Sequence, residues 1–163
     1  MFICNIYAPN VPTDQQKFAQ TLKELLMSKS SLSHVIIGGD WNVTLQAIDK
    51  RGGIQWKPTA YRYQITAMME ELDLIDVFRK KYPDKKNFTY ESVERKLKSR
   101  IDFFLVAKSI ASQVVEVGTK TSIAPDHKAV KLRFKLINSK RGPGLWKFTN
   151  SLLKDESYWN DWN

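Results

Sequence analysis

Three short segments gather side chains suited to phosphate-ester chemistry: Tyr7 with Asn10, Asp40 with Asn42, and the pair Asp126-His127. Hydrolysing a phosphodiester needs a cation to neutralise phosphate oxygens, a group that orients or deprotonates water, and donors for the charge of the pentacovalent state. Aspartate, asparagine, histidine and tyrosine supply these functions. Asp40 and Asn42 flank Trp41, so on an extended segment both face one way and address the same water and phosphate. The same Gly-Gly-Asp-Trp-Asn string is also compatible with a turn whose Asp and Asn satisfy the backbone. In Asp126-His127 the aspartate suits a hard metal ion and the imidazole a phosphate oxygen; a satisfied loop pair is the alternative. Asp102 interrupts an apolar run and needs a partner, either His127, which it would hold in one tautomer, or its neighbour Arg100.

The elements that must position these groups follow from hydrophobic period. Residues 2–7 read as a strand that ends at Pro9 and Pro12. Thr13 and Gln16 have the form of a capping box, and Phe18, Leu22, Leu25 and Leu26 recur on one face of a helix reaching Met27. Residues 34–37 form a short apolar strand that Gly38-Gly39 turns sharply, bringing Asp40 to a sheet edge. A second helix is expected over 61–72, with Ile65, Met68, Met69 and Leu72 as core residues. Strands are expected at 101–106 and 114–117. Val130, Leu132, Phe134 and Leu136 alternate with Lys131, Arg133 and Lys135, giving a strand with one buried and one basic face. Residues 138–144 carry linker breakers, and a short helical tail rich in aromatics follows. Strands interleaved with helices point to a layered α/β or α+β sandwich.

Composition narrows the partners. The 163 residues suffice for one core, and a net charge of +9 favours encounter with a polyanion such as nucleic acid or an anionic membrane. Cys4 is the single cysteine, so an intrachain disulfide and a cysteine-built zinc site are excluded, and an intracellular setting is permitted. No apolar run approaches the ~20 residues of a membrane span.

Four strings in this order, Asn5-Ile6-Tyr7-Ala8-Pro9-Asn10, Gly38-Gly39-Asp40-Trp41-Asn42, Ser99-Arg100-Ile101-Asp102-Phe103-Phe104 and Asp126-His127, resemble the endonuclease/exonuclease/phosphatase superfamily. Asp49-Lys50-Arg51 and the segment from Gly142 to Leu153 make the endonuclease of non-LTR (LINE-type) retrotransposon proteins the nearest resemblance. The resemblance implies an α+β, four-layer α/β/β/α sandwich of the deoxyribonuclease I type over residues 1–137. Residues 138–163 are then a link toward a reverse-transcriptase-like region. It implies Mg²⁺, or Mn²⁺, as cofactor and DNA as partner, with no membrane association and a nuclear place of action if the target is genomic. By the same resemblance Tyr7 contacts the scissile phosphate, Asp40 serves the water and Asn42 the transition state. Asp126 ligates the metal, His127 faces the phosphate with Asp102 behind it, and Asn10, Thr89 and Arg100 border the substrate. The resemblance begins at the Tyr-Ala-Pro-Asn strand, so the upstream metal-binding glutamate of the family is expected outside this chain, with weak activity and open sheet edges as the result. Pro125 and Phe103 depart from the family's usual serine and tyrosine. Two other expectations stay open: a non-catalytic nucleic-acid-binding remnant, and a phosphatase acting on lipid or inositol phosphates.

Overall fold

The computed structural model describes residues 1–29, 32–53, 55–122 and 125–135. The sequence expectations for Leu136, the linker and the aromatic tail lie outside the described residues. Nine strands and three helices are described: β1 (Phe2–Tyr7), α1 (Pro12–Met27), β2 (Val35–Asp40), β3 (Lys50–Arg51), α2 (Ala60–Glu71), β4 (Leu74–Asp76), α3 (Val77–Lys81), β5 (Tyr90–Ser92), β6 (Leu97–Ser99), β7 (Asp102–Ala107), β8 (Val114–Lys120) and β9 (Ala129–Phe134). They form a four-stranded sheet in the order β1-β2-β7-β4, a three-stranded sheet β3-β6-β5, and the hairpin β8-β9. This is the expected α+β class.

The four-stranded sheet is mixed: β1 runs parallel to β2, and β7 runs antiparallel to both β2 and β4. β2 is buried from Val35 through Gly38, as a strand covered on both faces must be. Leu22 and Leu26 of α1, Ile65 and Met68 of α2, and Ile37 and Leu105 of the sheet belong to one core cluster. β9 packs on β7, and α3 on β7 and β8.

Two local expectations are corrected. Gly38 and Gly39 do not turn the chain out of β2; both continue the strand, paired with Asn5 and Ile6 on one side and with Phe104 and Phe103 on the other. They are glycine because neighbours occupy the side-chain space. A Cβ on Gly38 would lie 2.3 Å from the Phe104 ring, and one on Gly39 (φ 137°) 2.0 Å from the Ile6 carbonyl oxygen. At the start of α1 there is no capping box. Val11 is the N-cap with no side-chain bond, and Pro12 occupies the first turn, where its fixed φ suits the helix and its missing N–H costs nothing. The helix ends at Met27 as expected. The edge of the basic strand is also less one-sided than its alternation implies, because Lys131 and Arg133 both reach back to Glu116 on β8.

Candidate active site

Sheet register places the chemistry. β1 and β2 end together while β7 begins beside them, so Tyr7 is opposite Asp40 and Asp40 is opposite Asp102. Three of the candidate site residues thus sit in a row across three strands at one end of the sheet. The row is pinned just beyond the ladders, where Ala8 N–H donates to the Asp40 carbonyl and Trp41 N–H to that of Ile101, both at 2.8 Å.

Trp41 explains why the segment leaves the sheet without collapsing. Its fully buried indole stacks on Phe103 at 5.1 Å and 6°, and Nε1–H donates to the Phe103 carbonyl at 3.1 Å. Phe103, where the resemblance leads one to expect tyrosine, is a buried ring in this stack, and a phenol there would need a partner. Anchored this way, the chain turns at Asn42 into the left-handed region (φ 48°), which asparagine tolerates. Asn42 N–H donates to Asp40 Oδ1 at 2.9 Å, and its Nδ2 donates to the Ala8 carbonyl at 2.6 Å. The turn alternative is thus what the structure shows, and it places Asp40 and Asn42 together at the end of β2.

Asp102 has His127, not Arg100, as its partner. Nδ1 of His127 lies 3.1 Å from Oδ2 and 3.3 Å from Oδ1 of Asp102. A carboxylate accepts only, so Nδ1 carries the proton in this contact and Nε2 is left for another group. The His127 loop is held by a bridge to Tyr90, whose ring lies 5.0 Å from the imidazole. Glu91 N–H donates to the Asp126 carbonyl, and Lys128 N–H to that of Thr89.

Ligand atoms of Asp40, Asp102 and His127 lie within 4.8 Å of one another. Burial raises the Asp40 carboxyl above its ordinary value; the Asn42 N–H draws it down, the Asp102 charge pushes it up and His127 draws it down again. Two carboxylates this close repel unless a cation stands between them, and oxygen donors in such number suit a hard divalent ion that keeps part of its water. Asp126, to which the resemblance assigns the metal, is outside this triplet, exposed on the loop next to His127. Tyr7 is 74 % exposed at the row's end, and Asn10 is exposed in the loop that follows.

Thr89 and Arg100, which the resemblance sets at the border of the substrate, are both buried. Thr89 is 1 % exposed, and its Oγ1 accepts the N–H groups of Ile101 and Asp102 at 3.1 and 3.0 Å, holding the start of β7 in place. Arg100 is 2 % exposed and forks onto Asp49, Nε to Oδ1 at 2.7 Å and Nη2 to Oδ2 at 2.9 Å, with a further bond to Asp76. Arg79 joins Asp49 from the other side and donates to the carbonyls of Tyr82, Pro83 and Lys85. The result is a buried, charge-balanced quartet at the corner where the chain passes from β6 into β7.

The quartet and Trp41 escaped the sequence reading as site-builders. The one signal for Asp49 was its place in the Asp-Lys-Arg string. Tyr61 also escaped: it is a buried helix residue whose hydroxyl has no partner among the described residues, and burial first, then the Asp40 charge, push its phenol up.

A sequence model of the family described as endonuclease-reverse transcriptase matches residues 1–131. The chain is 28 % identical over 169 residues to the transposon TX1 uncharacterized 149 kDa protein of Xenopus laevis, covering 98 % of this chain and 13 % of that protein. Among solved structures it is similar to an AP endonuclease from Archaeoglobus fulgidus, with a TM-score of 0.68, 21 % identity and coverage of 82 % of this chain and 62 % of the other. It is also similar to the 3'-5' exonuclease NExo from Neisseria meningitidis, with a TM-score of 0.63, 18 % identity and coverage of 81 % and 60 %. At these identities the structural likeness shows a shared fold. The chain spans less than two thirds of the length of each of these relatives. Among the described residues no helix is long and apolar enough to cross a membrane.

Proposed function

This chain belongs to the endonuclease-reverse transcriptase family, and from that premise we propose that its site hydrolyses phosphodiester bonds of DNA, nicking a strand as a module of a longer retrotransposon-type protein. The observation that carries the proposal is the row Tyr7, Asp40, Asp102 across three strands, with His127 locked behind Asp102.

In this reading Asp40 binds the attacking water and accepts its proton as the water oxygen bonds to phosphorus. The ester bond opposite breaks, and the departing alkoxide takes up a proton. A carboxyl raised by burial is a better base than a free aspartate, which suits Asp40 for the task. Asn42 has an amide hydrogen left after its bond to Ala8 and offers it to the phosphoryl oxygens. His127 serves the same charge as the imidazolium, donating Nε2–H to it while Nδ1–H stays on Asp102, and Tyr7 supplies a phenolic donor from the exposed end of the row. Asp102 orients the imidazole and touches no reacting atom. A divalent cation, Mg²⁺ with Mn²⁺ as substitute, would be held by Asp126 and would neutralise the phosphate oxygens. If the target is genomic DNA, the place of action is the nucleus.

Nicking of supercoiled plasmid in Mg²⁺, against EDTA and an Asp126→Ala control, tests the proposal. Metal-dependent nicking that the substitution abolishes is expected. A folded chain that nicks nothing, or one that hydrolyses a phosphoinositide in preference to DNA, would overturn it.

A further inference from the structure

A groove of about 230 Å³ adjoins the site and shares Asn42 with it. Its other walls come from elements without a part in the chemistry above: Thr44 after β2, Lys50 in β3, Trp56 and Lys57 in the loop before α2, and Arg62 in the first turn of α2. Three of these are cations, and no Asp or Glu lines the groove. Lys50, Lys57 and Arg62 make no ion pair among the described residues, in contrast to Lys23, Lys98, Lys108, Lys131 and the buried arginines. Like charges gathered without a counterion raise one another's energy, and an anion bound among them relieves it.

The arrangement is built rather than incidental. The Arg62 guanidinium lies 4.7 Å over the Trp56 ring, its Nη1 donates to the Leu45 carbonyl at 3.4 Å, and Trp56 Nε1–H donates to Thr44 Oγ1 at 3.1 Å. Arg62 Nε is buried with no partner among the described residues. A donor held in place by a ring and a carbonyl, with one N–H unused, is pre-organised for an oxygen-rich ligand. The volume is below the roughly 300 Å³ at which pockets begin to hold drug-sized molecules, and it suits a phosphate.

We infer that this groove is a subsite for a backbone phosphate of the DNA strand, neighbouring the phosphodiester held between Asp40 and His127. The inference rests on the nuclease reading above. Such a contact fixes where the strand lies relative to Asp40 and carries no base preference.

The test is fluorescence anisotropy with a labelled duplex oligonucleotide across a salt series in EDTA, using the full chain. Each phosphate contact contributes about one unit to the slope of log affinity against log salt. Lys57→Gln and Arg62→Gln are each expected to lower that slope by about one and to weaken binding roughly fivefold on all sequences alike. Lys108→Gln, on a residue paired with Asp73 away from the groove, is expected to leave both unchanged. Replacing single phosphates beside the cleaved bond by uncharged methylphosphonates should weaken wild-type binding at one position and leave the Lys57→Gln/Arg62→Gln chain unaffected there. Lys57 is exposed, so its substitution keeps the test valid if Arg62→Gln fails to fold. Steep salt dependence in the wild type with an unchanged slope in Lys57→Gln overturns the subsite alone. Absence of salt-dependent binding by the wild type overturns the nuclease reading itself.

Discussion

At the scale of single residues, Asp40 sets activity against stability. Its carboxyl is raised by burial, so the folded chain holds the proton more tightly than the unfolded chain does. Its contribution to stability is fully present below the unfolded pKa and is lost as pH rises through the folded one. Asp40→Asn removes that loss while keeping an oxygen for the Asn42 N–H. In metal-free buffer at neutral pH the variant should melt roughly 1–3 °C higher, with the gap closing in acid, while nicking is abolished. Equal melting at both pH values would show that burial of this carboxylate carries no cost. Asp102→Asn should lower nicking by about 10²–10⁴-fold with little change in DNA affinity, because the amide lacks the charge that supports the imidazolium and its NH₂ can turn the ring to the other tautomer; unchanged rates would remove Asp102 from the mechanism. The placement of Asp40, Asn42 and His127 near one another was legible in the strings, since Asp-Trp-Asn and Asp-His each put two polar groups at a strand end. The burial of Thr89 and Arg100 was not legible, because a polar residue near a site string reads the same whether it faces solvent or backbone. Burial decides, and burial is not written in two or three letters.

At the scale of elements, the buried quartet is what joins the small sheet to the large one. Arg100 also donates its N–H to the Asp49 carbonyl at 2.8 Å, so the corner between β6 and β7 is fixed by main chain and side chain together. Asp49→Ala would leave Arg79 and Arg100 buried with a single acid between them. A loss of about 3–5 kcal/mol in urea-induced unfolding is expected. A loss under 1 kcal/mol would mean that water reaches the guanidinium groups. Gly39→Ala tests the other joint: with the Ile6 carbonyl in the way and φ at 137°, β1 must shift or detach, costing about 1–3 kcal/mol and misplacing Tyr7. The periodic helices and strands were readable because their apolar spacing answers directly to the core. Gly38-Gly39 read as a turn because close approach by Phe104 and Ile6 is a tertiary fact that leaves the same local trace as a bend.

At the scale of the whole molecule, the order of four strings anticipated that distant segments meet, and the sheet order shows how: parallel β1-β2 and antiparallel β7 bring their ends to one edge. The +9 charge predicts that nicking falls steeply between roughly 50 and 200 mM salt, and a flat profile would argue against backbone phosphates as the main source of affinity. The bridge from Tyr90 to His127, with Thr89 tied to Ile101, Asp102 and Lys128, has a consequence for the life of the chain during synthesis. The β5-β6 hairpin is local, but Asp102, the partner of His127, is set only when β7 pairs with β2, which joins residues far apart in sequence and is a late event in folding. On the nuclease reading proposed above, a nascent or misfolded chain therefore carries Tyr7, Asp40, Asp102 and His127 apart from one another, and a cutting edge exists only after β7 is seated beside β2.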